Sequence, residues 1–480
     1  MVMASSSVLR APIGSILDTG RISSVKDFAS PPSGGYVQVI SENSLVNSLK
    51  VGLSCLALSE KAVLKGVRWK GRMPARWNGV HQSKRLVAHA RALGSSGIGQ
   101  KPYTGVMIVP TGTGATIGGF AGDSLPVARA MSSVVDCLIT HPNVLNGAML
   151  HWPMASTLYV EGYALDRFAE GYWGLQPVHQ NRVGLILDMG IEEELIQRHL
   201  QVADATRATL GLPVLEYTIT DAPLQVEKWL DPRTGTSTGR LGRPDSLLRA
   251  VETLMKGASV DAVAVVGRFP DDSVDELVDY RQGQGVDVLA GVEAVISHMV
   301  VKEFGIPCAH APALSPLPLD ASISPRSAAE EIGYTFLPCV LAGLSKAPQF
   351  IERTNRSGAG TVWADDVDCV VVPANACGGE GTLALCRKSG RKPLLIAVEE
   401  NETVLDDTPE KMGLVNVVRV ANYWEAIGVI AAHKAGVDPK ALRRSGVSHL
   451  HRLETPRHAE ASRSALKGLE KAPIAMTGVR

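Results

Sequence analysis

Residues 105–122 read GVMIVPTGTGATIGGFAG, and the expected fold is built outward from this stretch. Its first six residues are mostly apolar and end in Pro110, which is typical of a buried strand. A loop rich in glycine and threonine follows, then a helix from about Leu125 and a second strand that runs up to His141. This order predicts a strand, loop, helix and strand unit of a parallel sheet.

A second segment repeats this order near the other end of the chain. The strand CVVVP at residues 369–373 precedes the loop NACGGEGT at residues 375–382, a short helix and a strand that ends at Glu399. Ligands of open parallel sheets bind beyond the carboxyl ends of the strands, so both loops should lie on a functional edge. We expect the two loops to face each other across one cleft.

The rest of the chain also alternates between strands and helices. Apolar runs predict strands at residues 182–188 and 261–267, and a helix is indicated over residues 291–304. The polar, glycine-containing segment 231–245 predicts a long mobile loop. We therefore predict the α/β class, with mainly parallel sheets built from Rossmann-like strand, glycine-loop and helix units in two lobes.

Four segments are expected: a plastid transit and basic N-terminal region at 1–100, α/β lobes at 101–312 and 313–437, and a basic flexible tail at 438–480. Residues 1–100 hold 13 Lys or Arg against 4 Asp or Glu, whereas the rest holds 35 against 44. This acidic body argues against a nucleic-acid partner. No run of about 18 apolar residues predicts a membrane span. The composition is compatible with a homo-oligomer.

The start of the chain resembles an organelle transit region. The residues MVMASSS are rich in small hydroxyl side chains, and no acidic residue precedes Asp18. Seven cysteines without a CxxC pair favour a reducing compartment. These features predict the chloroplast stroma, the alternative being a basic arm that stays attached.

The two glycine-rich loops are the strongest chemical signal. Backbone amides approach an anion where no Cβ intervenes, and a helix start adds a favourable dipole. The alternative is that the glycines only permit tight turns. The spacing GxGxxxG and the lack of an acid after the second strand disfavour a dinucleotide site. The predicted anion-binding residues are Thr111, Gly112, Thr113, Gly114, Gly118 and Gly119 in the first loop and Asn375, Cys377, Gly378, Gly379 and Glu380 in the second.

Polar residues that follow strands supply the catalytic candidates. His141 is a candidate acid or base, because imidazole titrates near neutral pH, and a hydrogen-bonded turn is the alternative. Glu399 and Glu400 are carboxylate candidates for the same role or for holding a divalent cation, with a solvated acidic run as the alternative. The further ligand-binding candidates are Asn143, Asn146, Arg268 and Asn401.

A third group, Glu293, His298, Cys308 and His310, has residue types that bind zinc but lacks a specific spacing. Cys377 is an activated-thiol candidate if it lies at a helix N-terminus.

Residues 122–125 spell GDSL, the nucleophile signature of one esterase family. The tetrapeptide lies far past its strand and no DxxH occurs near the C-terminus, so Asp123 or Ser124 is better suited to cap the helix that begins at Leu125.

The chain resembles an uncharacterised family found in cyanobacteria and plant plastids, over about residues 101–437. The motif strings that carry the resemblance are VPTGTGATIGGFAGDSLPVARAM, ITHPNVLNGAM, GVEAVISH, IPCAHAPAL and CVVVPANACGGEGTLALCRKSGRKPLLIAVEENETVLDD. The resemblance implies a plastid address and a role tied to oxygenic photosynthesis. It implies no activity and assigns no catalytic residue.

The leading hypothesis is a non-redox plastid enzyme, a transferase, lyase or isomerase, that binds a phosphorylated or carboxylated metabolite between the two loops. The first alternative is a ligand-sensing or assembly protein that uses the same cleft without turnover. The second is a serine hydrolase that uses Ser124. The sequence identifies no cofactor beyond the candidate divalent cation.

Overall fold

The computed structural model describes residues 101–147, 149–273, 276–332, 335–353 and 360–452. The expected transit region and most of the expected basic tail lie outside the described residues.

The strands of the described chain are short and mostly buried. They are β1 (Thr104–Met107), β2 (Cys137–Thr140), β3 (Thr157–Tyr159), β4 (Trp173–Gln176), β5 (Val183–Leu187), β6 (Val214–Ile219), β7 (Val226–Leu230), β8 (Ser237–Leu241), β9 (Ala262–Arg268), β10 (Cys308–Ala313), β11 (Gln349–Glu352), β12 (Val367–Pro373), β13 (Leu394–Val398) and β14 (Val417–Val420).

The helices connect these strands and cover the sheets. They are α1 (Leu125–Ser132), α2 (Pro142–Leu145), α3 (Gly162–Ala169), α4 (Glu193–Leu210), α5 (Pro244–Ala258), α6 (Val278–Arg281), α7 (Ala290–Phe304), α8 (Ala328–Glu331), α9 (Leu337–Leu344), α10 (Glu380–Arg387) and α11 (Tyr423–Lys434), with 3-10 turns at Ala364–Asp366 and Pro439–Leu442.

Six strands form a fully parallel sheet in the order β14, β13, β12, β1, β2, β3. β1 pairs directly with β12, and Val106 lies opposite Val370. The strand order reverses direction between these two strands, which makes their carboxyl ends a topological switch point. Both glycine-rich loops leave the sheet there, and the α/β class with mainly parallel sheets is confirmed.

A second parallel sheet, in the order β10, β9, β5, β6, is formed by residues that lie between the two halves of the first sheet. β1 to β3, which lie in the expected first lobe, therefore share one sheet with β12 to β14 of the expected second lobe, and β1 and β12 are the strands that pair. All seven residues of β12 are buried, as expected for a central strand covered on both faces.

The segment 231–245 differs from its expectation, because it contains a strand. β8 pairs antiparallel with β7, and Ser237 and Leu241 are buried. A Cβ added at Gly239 would lie 2.5 Å from the Cβ of Val292 on α7, so glycine lets the hairpin lie close against this helix. Close packing, not mobility, is the reason for this glycine.

In the described part of the chain, no helix combines the length and apolarity that crossing a membrane requires.

Candidate functional site

A cavity of about 90 Å³ lies where the ends of the first three strands meet α7 and β10. The first loop, α2 and the start of α3 form one side, and α7 forms the other. Its titratable lining consists of histidines and carboxyl groups: His141, Glu161, Asp287, Glu293, His298, His310 and Glu330. The described lining contains no lysine or arginine.

His141 follows β2 and faces this cavity as a neutral hydrogen-bond donor. The backbone N–H of Val109 donates to its Nε2 at 3.0 Å, so Nε2 is unprotonated and the hydrogen of the neutral ring is on Nδ1. Burial lowers the pKa of His141 to about 4, and the ring is neutral at physiological pH. No described residue accepts a hydrogen bond from Nδ1, which leaves that N–H available to a ligand oxygen.

Glu161 follows β3 and holds His298 in an ion pair. Its Oε2 accepts hydrogen bonds from the N–H groups of Tyr163 and Ala164 at the start of α3, which fixes the carboxylate. Its Oε1 lies 2.5 Å from His298 Nδ1, although the two atoms lack the alignment of a linear hydrogen bond. Burial lowers the pKa of His298, but the Glu161 carboxylate, with the Ala294 backbone and Asp166, outweighs burial, so the pKa is raised.

Gly162 makes this ion pair sterically feasible. A Cβ at this position would lie 2.9 Å from Cε1 of the His298 ring, closer than real side chains allow. Glycine at the first position of α3 therefore admits the imidazole beside the Glu161 carboxylate.

Glu293 and His310 form a second carboxyl and imidazole pair. Glu293 Oε2 lies 3.7 Å from His310 Nε2, while Oε1 is buried and has no hydrogen-bond partner among the described residues. Burial, with repulsion from Asp287 and Glu330, raises the pKa of Glu293 well above its usual range. Burial lowers the pKa of His310 to about 3. The two shifts favour the neutral form of each partner, so this contact is not an ion pair.

Asp287 and Glu330 complete the acidic wall. Glu330 Oε1 accepts hydrogen bonds from the Tyr280 hydroxyl and from the Ala121 N–H, both at 2.6 Å. Burial and the nearby Asp287 raise the pKa of Glu330 to about 8. Burial also raises the pKa of Asp287 to about 6. These carboxyl groups share a small volume, so they cannot all be ionised at once.

The first glycine-rich loop contributes Thr111 and Gly119 to the cavity. Other residues of the loop are used in packing. Gly112 has φ +67°, and a Cβ there would lie 2.9 Å from the Cβ of Ser237. Gly114 and Gly118 also have positive φ. The Thr113 hydroxyl donates to the Pro110 carbonyl.

The second loop lies outside this cavity, and the segment 401–407 lies between the two loops. Val404 N–H donates to Thr113 O in the first loop, and Asp407 N–H donates to Asn375 O in the second. Gly378 leaves no room for a Cβ beside Asp407, whereas a Cβ at Gly379 would meet open space. Burial raises the pKa of the Cys377 thiol to about 12, so the thiol is protonated at neutral pH. Glu380 begins α10 and Gly379 precedes it.

The acidic candidates after β13 also lie apart from the cavity. Asn401 is buried and bonds to both backbone groups of Ile117 and to the Tyr423 hydroxyl. Glu400 accepts the Tyr423 N–H at the start of α11. Glu399 lies 3.7 Å from Arg419. The Asn401 contacts join the first loop to the other half of the sheet, and the catalytic role of Glu399 and Glu400 stays a prediction.

Of the three remaining predicted ligand-binding residues, two line the cavity and one does not. Asn143 and Asn146 both line the cavity, and the Asn143 amide donates to the Gly118 carbonyl. Arg268 is paired with Glu192 and Asp271, each at 2.8 Å, which neutralises its charge.

The GDSL segment is built into the start of α1. This helix begins at Leu125 as expected, but neither predicted cap forms: the Ser124 side chain makes no capping bond, and the Asp123 carboxylate accepts the Gly118 N–H instead. Ser124 is fully buried, and its hydroxyl has only a 3.5 Å contact to the Val144 carbonyl. No described histidine is bonded to this hydroxyl.

Of the candidate zinc group, Glu293, His298 and His310 line the cavity, whereas Cys308 is buried and burial raises its pKa well above the usual range. Within the described ranges, no three His, Cys, Asp or Glu side chains are arranged to hold a metal ion.

Sequence reasoning missed Glu161, Asp287 and Glu330. Glu161 is the second residue after the strand TLY, so the search for polar residues that follow strands, which identified His141, would also have found it. Asp287 lies in a loop and Glu330 in a four-residue helix, where no pattern in the sequence singles them out.

Comparison with known proteins gives a family and one relative. A family model described as "Protein of unknown function (DUF3326)" matches residues 104–443. An uncharacterized lipoprotein of Synechococcus sp. is 58% identical over 343 residues, which is 71% of this chain and 94% of the relative. No solved structure matches.

Proposed function

The chain belongs to the DUF3326 family, as the resemblance predicted, and we propose that its carboxyl and imidazole cavity is the active site of a non-redox enzyme. The reaction is a proton transfer on a small metabolite, of the lyase, isomerase or transferase kind. The observation that carries the proposal is Glu293, a buried carboxyl with an unpartnered oxygen that borders a cavity shared with three histidines. Titratable groups whose environments shift their pKa values in opposite directions are typical of acid and base sites.

Each group has a distinct role in this proposal. The Nδ1–H of His141 donates to a substrate oxygen and stabilises negative charge that develops there. Glu293, protonated at rest, gives its proton to the substrate oxygen as general acid, and the carboxylate that remains takes a proton from a substrate carbon, which restores the resting group. The ion pair of Glu161 and His298 supplies a second proton site, made of an imidazolium that can donate a proton and a carboxylate that can accept one.

The cavity charge favours a neutral or cationic reacting group. Four carboxyl groups and no lysine or arginine occur in the described lining. At pH 7 the Asp287 carboxylate, with a pKa of about 6, has no cationic partner in this lining, so an anion entering this space would meet repulsion instead of attraction. This differs from the anionic metabolite predicted from the loops, whose anion-binding role stays a prediction.

The experiment begins with thermal unfolding of the full chain against small amines, polyols, ketones, carboxylates and sugar phosphates. A compound that binds the native state raises its stability by about 2.7 kcal/mol at a hundredfold excess over Kd. Compounds that shift the transition are then incubated with the protein and followed by NMR for conversion.

Glu293→Gln is the informative variant, and Glu194→Gln, an exposed carboxyl on α4, is the matched control. We expect Glu293→Gln to lose conversion while binding is largely kept, and the control to behave as wild type. Binding without conversion in the wild type would instead support the ligand-sensing alternative. Ser124→Ala with undiminished conversion would exclude the hydrolase alternative.

We also propose a plastid location. The alanine- and serine-rich start of the chain and the cyanobacterial origin of the relative support it. A fusion of residues 1–100 to a fluorescent protein should enter isolated chloroplasts and be shortened there. A fusion that stays outside would contradict the stromal address.

A further inference from the structure

A second, larger cavity of about 680 Å³ adjoins the first. It lies between the loop that carries Asp271 and Asp272, the segment around α6, and the chain that follows β10. Its size falls within the range that holds a drug-sized ligand, whereas the first cavity has room only for a small group.

The two cavities share a wall made of Asp287 and Glu330, which line both. The hydrogen bonds of Glu330 cross this wall, because Ala121 lines the first cavity and Tyr280 lines the second. A molecule in the larger cavity would therefore place one end beside the acidic groups of the smaller one.

The larger share of this cavity's surface is apolar, although carboxyl groups such as Asp271, Asp272 and Glu276 also line it. Its cationic side chains are buried and already paired, Lys228 with Asp272 at 2.5 Å and Arg281 with Glu331 at 2.7 Å. A paired ion attracts an added charge only weakly, so these residues do not define a site for a charged group. The aliphatic residues that line the cavity include Leu230, Leu277, Val286, Leu289, Leu314 and Leu317.

We infer that the larger cavity holds the hydrocarbon part of an amphipathic substrate whose neutral or cationic polar end reaches the carboxyl and imidazole cavity. The inference rests on the proposed function for the polar end, and it adds the class of molecule. Aliphatic walls favour the hydrocarbon chain, and the Asp287 carboxylate, with a pKa of about 6, favours an amine over a carboxylate at the wall.

The test uses butylamine, hexylamine and octylamine with the full chain, and the alkanoates of the same lengths. Titration calorimetry should show affinity that rises by up to about fourfold for each added methylene, the factor that corresponds to complete burial of a CH₂ group. Each alkanoate should bind more weakly than the amine of its length. Equal affinity for the short and long amines would overturn the inference.

Leu317→Trp fills the cavity from a loop and should abolish the dependence on chain length. Leu314→Trp is the second filling variant, in case the first does not fold. Leu215→Trp, at a half-exposed position on β6 outside the lining, is the control and should keep the dependence. An unchanged dependence in a folded filling variant would place the hydrocarbon elsewhere and refute the site.

Failure of this inference is distinguishable from failure of the proposed function. Conversion of a small compound without any dependence on chain length would refute the second cavity alone. A second outcome is that affinity depends on chain length, Leu317→Trp removes that dependence, and no amine or other compound is converted. This outcome would uphold the cavity and refute the enzyme.

Discussion

The acidic wall makes a quantitative prediction for the substitution Glu330→Gln. In the unfolded chain a glutamate loses its proton near pH 4.5, whereas in the folded protein burial and Asp287 raise the pKa of Glu330 to about 8. The folded state therefore binds more protons between these values, and stability falls as pH rises through this window. Each pKa unit corresponds to about 1.4 kcal/mol, so the full loss is on the order of 5 kcal/mol.

Glutamine should remove this loss without disturbing the local contacts. A single oxygen, Oε1, accepts from both Tyr280 and Ala121, and the amide oxygen of glutamine can accept the same two hydrogen bonds. We expect the variant to match wild type within about 1 kcal/mol near pH 5, where Glu330 is protonated in the folded state. Near pH 9 the variant should be the more stable protein by several kcal/mol.

Urea unfolding at both pH values measures the effect, because the midpoint and slope give the free energy of unfolding. Glu194→Gln, an exposed carboxyl with no ion pair in the described residues, should show the pH dependence of wild type. If Glu330→Gln is less stable than wild type at high pH, or if the two proteins share one pH dependence, the carboxyl is ionised in the fold and the reasoning is refuted.

Three further predictions concern single residues. Gly162→Ala should displace the His298 ring from Glu161 and lower the pKa of His298, as followed by NMR titration, whereas Gly257→Ala, where a Cβ meets no atom within 4 Å, should leave it unchanged. Asn401→Ala should lower the free energy of unfolding by about 3 kcal/mol, because buried donors and acceptors lose their partners, and unchanged stability in a urea titration would contradict this. His141 should stay neutral from pH 5 upward with its proton on Nδ1, given its pKa of about 4, and a titration near pH 6.5 in ¹⁵N NMR would contradict the assignment.

Much of the local structure could be predicted from the sequence, because it depends on neighbouring residues. The strand at 261–267 corresponds to β9 (Ala262–Arg268), and the helix over 291–304 corresponds to α7 (Ala290–Phe304). In each case an apolar run or a periodic pattern carries the signal over a short window. His141 was found for the same reason, since it directly follows an apolar strand.

The arrangement of the site could not be predicted, because it depends on contacts between distant segments. Nothing local indicates that segment 401–407 lies between the two glycine-rich loops, or that Glu330 bonds to Ala121 across 209 residues. The grouping of Glu293 with His141 likewise requires α7, which connects two strands of the second sheet, to lie against α3, which follows a strand of the first. Sequence reasoning thus found several members of the cavity but assigned them to separate sites.

The most direct test of the proposed active site is solvent deuterium exchange. Small ketones, 2-oxo acids and amines are incubated with the full chain in D₂O, and ¹H NMR follows the loss of signal from carbon-bound hydrogens. We expect catalysed exchange in at least one compound, retained by Glu194→Gln and lost in Glu293→Gln. Exchange that persists undiminished in a folded Glu293→Gln protein would contradict the assignment of Glu293 as the acid and base of the site.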